Sequence, residues 1–122
     1  MYKLSLAVFI ALLLLACTRE DVSKNSQPTP APAAQEVQLI EYAIRMPDTV
    51  PAGRYAFQVE NAGKEDHGFE IEGNGIEQKT DILKRGDVTS LDVELKPGTY
   101  TVYCPVKGHK EKGMRKTVTV HQ

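Results

Sequence analysis

Four potential metal ligands stand out in the second half of the chain. Cys104, His109 and Met114 lie within eleven residues, and His67 precedes Cys104 by thirty-seven positions. A thiolate, two imidazoles and a thioether form the ligand set of mononuclear electron-transfer copper sites, in which His₂Cys is trigonal and Met is a weak axial ligand. The pattern therefore predicts one copper ion bound by these four residues, cycling between Cu(I) and Cu(II).

Other uses of these residues fit the sequence less well. Zinc is bound by Cys, His and carboxylates, and Met is not among its usual ligands. A multicopper oxidase needs many histidines, whereas this chain has His67, His109 and His121, and we expect His121 to be solvated. A binuclear copper centre needs two cysteines in the ligand loop, where Cys104 is alone. We therefore predict that the protein is not an enzyme.

The first seventeen residues predict export. Lys3 precedes an apolar run at 4–15, which is too short to span a membrane as a mature helix and has the form of a signal-peptide core. The following Ala16-Cys17 resembles a bacterial lipobox. This resemblance implies that residues 1–16 are removed and that Cys17 carries lipid, and two or three acyl chains would anchor the protein firmly. We expect it to be tethered to a membrane and to face the periplasm or the cell exterior.

The two cysteines leave alternatives open. Cys17 and Cys104 could form a disulfide in an exported protein, but that bond would leave His109 and Met114 unexplained. If Cys17 is acylated, Cys104 is a lone thiol that a metal would protect. An ordinary secretory signal with a chance Cys17 is a further alternative, and it preserves the export prediction.

Composition divides the rest of the chain into a tether and one domain. Residues 17–35 contain Pro28, Pro30 and Pro32 among small and polar residues, and they cannot form a core. Residues 36–122 suffice for one small core. Their twelve Lys and Arg against fourteen Asp and Glu argue against binding of nucleic acid. We expect a monomer.

Alternating apolar residues predict short β-strands separated by turns. The alternating runs lie at 40–46, 55–59, 69–71, 91–95, 100–102 and 118–120. The range 76–86 is ambiguous and fits either a short helix or an irregular strand. About seven short strands predict an all-β fold, an antiparallel Greek-key sandwich of two sheets.

The same alternation predicts where two of the ligands point. Cys104 is in phase with Tyr100 and Val102, so its sulfur should face the interior of the sandwich. His67 is in phase with Phe69 and should also face inward. The last hairpin would then carry three ligands, and an earlier strand would bring His67 to the same end.

The chain resembles the cupredoxins, the blue copper proteins that include plastocyanin, azurin and rusticyanin, over residues 40–120. The matching segments are Pro97-Gly98-Thr99-Tyr100, Tyr103-Cys104, Gly108-His109, Gly113-Met114, and Asn61 with His67-Gly68-Phe69-Glu70-Ile71. The resemblance implies that His67 is the buried imidazole ligand and Cys104 the thiolate. It also implies that His109 is the imidazole at the solvent edge and Met114 the axial thioether. Four residues separate Cys104 from His109, and four separate His109 from Met114, which is similar to rusticyanin.

The resemblance further places Asn61, Phe69 and Pro105 beside the ligands. Gly68 stands where several members of the family have Asn or Ser. Pro105 lacks an amide that could donate a hydrogen bond near the thiolate, and such bonds tune a metal's potential.

Basic side chains crowd the ligand hairpin, with Glu111 alone opposing them. They are Lys107, Lys110, Lys112, Arg115 and Lys116. They either keep the loop soluble or surround the edge of His109 and steer an acidic redox partner onto it. Their charge would also favour Cu(I) and raise the potential slightly.

The predicted function is a membrane-tethered type 1 copper protein that carries electrons between redox partners. A copper delivery or storage module is the alternative. A third possibility is an interaction domain in which the metal is incidental.

Overall fold

Nine β-strands form the part of the chain that the structure, a computed structural model, describes, residues 28–122. They are β1 (Ala33–Ile40), β2 (Ala43–Arg45), β3 (Thr49–Pro51), β4 (Gly53–Asn61), β5 (Glu70–Gly73), β6 (Ile76–Lys79), β7 (Val88–Leu95), β8 (Gly98–Tyr103) and β9 (Arg115–His121). Within residues 28–122 no helix is long and apolar enough to cross a membrane. The predicted signal peptide, Cys17 and most of the predicted tether lie outside the described residues.

The strands form two sheets, in the order β2-β1-β4-β7 and β3-β9-β8-β5-β6. The predicted all-β sandwich of two sheets is confirmed. The sheets are mixed, however, because β1 pairs with β4 in parallel and β3 pairs with β9 in parallel. The other strand pairs are antiparallel, as predicted, and the two parallel pairs were not predicted because alternation reports which face of a strand is buried and is blind to the direction of its neighbour.

The first sheet departs from the predicted strands at its edge. The run at 40–46 contains a chain reversal, since β1 ends at Ile40 and β2 returns antiparallel with Leu39 opposite Ile44. Strand β1 already begins at Ala33, so the extended structure starts before residue 36, where the predicted domain begins. The reversal leaves residues 41–42 in a turn at the same end of the sandwich as His67.

Aromatic side chains fill the space between the sheets. Phe57 of β4 stacks on Tyr55 with ring centroids 5.6 Å apart and meets Phe69 across the core at 5.7 Å. Phe57 and Phe69 are both fully buried. The buried Tyr100 of β8 satisfies its hydroxyl by donating to Lys96 O and accepting from Lys96 N. This packed core supports the segments that carry the ligand residues.

The ambiguous range 76–86 is an irregular strand rather than a helix. After β6 ends at Lys79, the chain makes an isolated antiparallel bridge between Leu83 and His67. The two residues exchange backbone hydrogen bonds of 3.1 and 2.7 Å. This bridge fixes the backbone of His67 although His67 lies outside the named strands.

Candidate metal centre

The loop between β8 and β9 positions three of the four predicted ligands. Cys104 directly follows β8 and Met114 directly precedes β9, and Cys104 N donates to Met114 O at 3.0 Å. Met114 N in turn donates to His109 O at 3.0 Å. Gly108 and Gly113 have φ of 85° and 109°, conformations that other residues adopt only with strain. The loop is therefore folded tightly back on itself.

The donor atoms of His67, Cys104 and His109 converge at one buried point. The two Nδ1 atoms are 3.2 Å apart, and Cys104 Sγ is 3.6 Å from His109 Nδ1. All three donor atoms lie within 4.8 Å of one another. Bonds of about 2.0 Å to nitrogen and about 2.3 Å to sulfur, as zinc makes, would let donors so spaced bind one ion. The geometry therefore fits a single transition-metal ion.

The predicted inward orientation of Cys104 and His67 is confirmed, since their exposed fractions are 1% and 0%. Met114 is also fully buried, and its backbone bonds keep it beside Cys104 and His109. Because these donor atoms are buried, they need a partner. The two imidazoles and the cysteine sulfur lie close enough to share one metal ion as that partner.

His109 is more enclosed than the resemblance implied. Only 6% of the residue is exposed, so it does not present an open imidazole edge to solvent. The ring of Tyr42 covers it edge-on with centroids 5.2 Å apart, and Glu65 Oε2 lies 3.0 Å from its Nε2. Tyr42 comes from the β1–β2 turn, which the apolar pattern of the sequence had placed inside a strand.

A backbone amide reaches the cysteine sulfur from the opposite side of the loop. Gly68 N donates to Cys104 Sγ at 3.4 Å, so the amide that Pro105 lacks is supplied elsewhere. A Cβ on Gly68 would lie 3.1 Å from the side chains of Ile82 and Pro105. The glycine thus leaves room for the side chains of Ile82 and Pro105 beside residue 68.

Asn61 and Phe69 brace the segment that carries His67. The amide nitrogen of Asn61 donates to Glu65 O and Leu83 O, both at 2.8 Å, and its oxygen accepts from Gly63 N at 2.9 Å. Phe69 is buried in the core. The buried Asn61 side chain therefore ties together two chain segments on either side of His67.

Carboxylates contact the outer nitrogens of both imidazoles, and the sequence analysis missed them. Glu41 Oε1 lies 3.1 Å from His67 Nε2, and Glu65 occupies the matching position on His109. Backbone N–H groups of Glu65 and Lys64, together with the His67 ring, lower the pKa of Glu41 to about 2. No spacing rule pointed to either glutamate, because Glu41 is 26 residues from His67 and Glu65 is 44 residues from His109.

Two of the five basic residues pack on aromatic rings. Lys110 Nζ lies 3.7 Å from the centroid of the Tyr103 ring. Lys112 Nζ lies 4.4 Å from the centroid of Tyr42 and donates to its hydroxyl at 3.0 Å. These two lysines therefore have partners within the molecule.

The other three basic residues differ in exposure. Lys116 Nζ contacts Asp48 Oδ1 at 2.5 Å and Met46 O at 2.6 Å, whereas Lys107 and Arg115 are exposed. The prediction that Glu111 alone opposes this charge was wrong, because Asp48 also does so. Lys107 and Arg115 are thus the residues of the set most available to a partner.

A two-sheet β-sandwich with a buried His-Cys-His triangle at one end defines a mononuclear metal-binding β-protein. The chain belongs to the cupredoxin-like domain family, whose match covers residues 6–120. No curated protein sequence matches the chain. Together, the family and the donor set support one copper ion bound at this triangle.

Solved structures share the fold. Auracyanin from the photosynthetic bacterium Roseiflexus castenholzii is 21% identical with a TM-score of 0.62, over 76% of this chain and 100% of that one. Auracyanin A, a "blue" copper protein from Chloroflexus aurantiacus, is 14% identical with a TM-score of 0.61, over 75% and 100%. A multicopper oxidase from Campylobacter jejuni is 16% identical with a TM-score of 0.58, over 79% of this chain and 31% of that one. At these identities the likeness concerns the fold.

Proposed function

We propose that the protein is a mononuclear type 1 copper protein that carries single electrons between redox partners outside the cytoplasm. The observation that carries this proposal is the buried convergence of His67, Cys104 and His109, with the buried Met114 beside them. When bound, copper supplies a one-electron couple at this point. The likeness of the fold to auracyanins supports the same function.

The backbone contacts that hold the ligand residues suit electron transfer. The backbone bridge to Leu83 fixes His67, and backbone bonds to Met114 close the loop at Cys104. A preorganised polar site needs little rearrangement when its charge changes. The residues of this chain therefore contribute a site that changes little in shape between the two oxidation states.

The same geometry argues against catalysis and against copper delivery. Three side chains converge on the site and Met114 adjoins it, which leaves no evident position for a substrate. The cover of Tyr42 and Glu65 over His109 would also hinder transfer of the ion to another protein. We therefore favour an electron carrier over an enzyme or a delivery module.

The location and the partners belong to the same proposal. Lipid on Cys17 would tether the domain to a bacterial membrane, facing the periplasm or the cell exterior, and the domain would act as a monomer. A redox partner with an acidic face would dock at the ligand loop near Lys107 and Arg115. Because His109 is covered, an electron leaving at this end crosses the layer formed by Tyr42 and Glu65.

The test is the visible spectrum of the purified full chain after addition of Cu(II). We expect an intense charge-transfer band from the Cys104 thiolate. Cys104→Ser should abolish the band while copper still binds through His67 and His109. A colourless wild-type copper complex would rule out the electron carrier, and rapid loss of copper to a chelator would favour delivery.

A further inference from the structure

Both imidazoles of the metal centre have a carboxylate on the nitrogen that faces away from it. His67 Nε2 lies 3.1 Å from Glu41 Oε1, and His109 Nε2 lies 3.0 Å from Glu65 Oε2. The Nδ1 atoms of the same rings face each other at 3.2 Å. The two rings therefore have matching surroundings, with their Nδ1 atoms facing each other inside the site and a carboxylate on each outer nitrogen.

Backbone contacts hold Glu41 in place. Its Oε1 accepts from Lys64 N and, at 2.8 Å, from Glu65 N. The buried Gly63 provides the space, because a Cβ there would lie 2.5 Å from Glu41 Oε1 and 2.8 Å from His67 Nε2. The carboxylate of Glu41 is thus fixed by the segment that precedes His67.

A second set of side chains holds Glu65. The hydroxyl of Tyr42 donates to Glu65 Oε1 at 3.0 Å, and Lys112 Nζ donates to the same hydroxyl at 3.0 Å. Since Glu65 N donates to Glu41, the two carboxylates belong to one connected network. Glu65 is therefore held although its side chain is 48% exposed.

The distance between the two Nδ1 atoms argues against two ordinary ion pairs. If both imidazoles were protonated on both nitrogens, two N–H groups would face each other at 3.2 Å, and Cys104 Sγ, 3.6 Å from His109 Nδ1, could accept from one of them but would leave the other against it. At least one Nδ1 must therefore present its lone pair. A neutral ring that donates its Nε2–H to a carboxylate has the lone pair of its Nδ1 free for a metal, and such outer contacts orient metal-binding histidines.

We propose that Glu41 and Glu65 are positioning residues that hold His67 and His109 with Nδ1 free for copper, and that their charges favour Cu(II) over Cu(I). This inference rests on the proposed copper site. The physical reason is that the two carboxylates are the acidic groups in direct contact with the ligand rings, and opposite charge stabilises the more positive oxidation state.

The variants Glu41→Gln and Glu65→Gln separate charge from hydrogen bonding, because the glutamine oxygen still accepts from Nε2–H. We expect each to weaken the binding of Cu(II) about tenfold and to affect Cu(I) less. If the whole tenfold change falls on Cu(II), the reduction potential rises by about 59 mV. Glu111→Gln is the matched control, since it removes the same charge from an exposed position in the ligand loop.

A measurement without copper tests the positioning separately. In the ¹⁵N NMR spectrum of the apo full chain near neutral pH, we expect Nε2 of both rings to carry hydrogen, and the two Nδ1 atoms, 3.2 Å apart, to carry at most one hydrogen between them. A ring without hydrogen on Nε2, or hydrogen on both Nδ1 atoms, would overturn the positioning role, whether or not the protein binds copper. If the reduction potentials of Glu41→Gln and Glu65→Gln shift no more than that of Glu111→Gln, the charge effect is overturned. A colourless wild-type copper complex would instead count against the proposed function.

Discussion

Gly63→Ala tests how tightly the network beside His67 is packed. The new Cβ would lie 2.5 Å from Glu41 Oε1 and 2.8 Å from His67 Nε2, both shorter than real Cβ contacts. His67 cannot move away because its side chain is fully buried, and Glu41 is held by two backbone N–H groups. The backbone conformation of Gly63 itself admits alanine, so the effect of the substitution comes from lack of space.

The expected cost follows from two opposing terms. Insertion of a methyl group into a packed site destabilises by about 1–3 kcal/mol, and the smaller conformational freedom of unfolded alanine offsets about 0.4–1 kcal/mol. We therefore expect a net loss of at most about 2.6 kcal/mol, centred on about 1.3 kcal/mol. For a domain of this size each kcal/mol lowers Tm by about 4–8 °C, which thermal unfolding of the apoprotein would detect.

Gly68→Ala is the matched control, because it also adds a Cβ to a residue next to His67. There the nearest atoms are 3.1 Å away and belong to Ile82, which is 47% exposed and can turn aside, and to Pro105. We expect a loss of less than about 1 kcal/mol. If Gly63→Ala is as stable as Gly68→Ala, the network around Glu41 is looser than the structure indicates, and the reasoning fails.

Three further substitutions test the axial ligand, the core and the docking surface. Met114→Gln should keep copper and colour but lower the reduction potential, because a harder oxygen donor favours Cu(II); an unchanged potential would mean that Met114 only packs. Phe57→Ala should cost about 3–5 kcal/mol in denaturant unfolding, and a loss below about 1 kcal/mol would contradict its central place in the core. Lys107→Glu combined with Arg115→Glu should slow electron transfer to an acidic partner at low salt; a wild-type rate independent of ionic strength would refute steering.

The sequence predicted the parts of the fold that depend on one strand at a time. Alternation placed Tyr100 and Val102 on the inner face of β8 and Cys104, which follows β8, on the same side, and all three are buried. The same rule could not reveal that β1 and β4 run parallel, because strand direction depends on which sheet the chain enters after each turn. It also failed at 40–46, where apolar residues continue to alternate through the turn at Glu41 and Tyr42.

The surroundings of the metal centre were predictable only in part. Cys104, His109 and Met114 share one loop, so their types and spacing indicate a common site. Glu41 is 26 residues from His67, and Glu65 is 44 residues before His109. Glutamates are common surface residues, and only the three-dimensional structure distinguishes these two from the others.

Basic and acidic groups around the site have opposite effects on the reduction potential. Their distances from the ligand rings indicate which set dominates. The sequence suggested that the basic loop would favour Cu(I), but Lys107 and Arg115 are exposed and are screened by salt over a Debye length of about 8–10 Å. Glu41 and Glu65 touch the ligand rings, where screening is weaker. We therefore expect added salt to lower the measured potential, because it weakens the lysine contribution first. If salt instead raises the potential, the exposed acidic groups outweigh the basic loop, and Glu41 and Glu65 are more accessible to ions than their contacts imply.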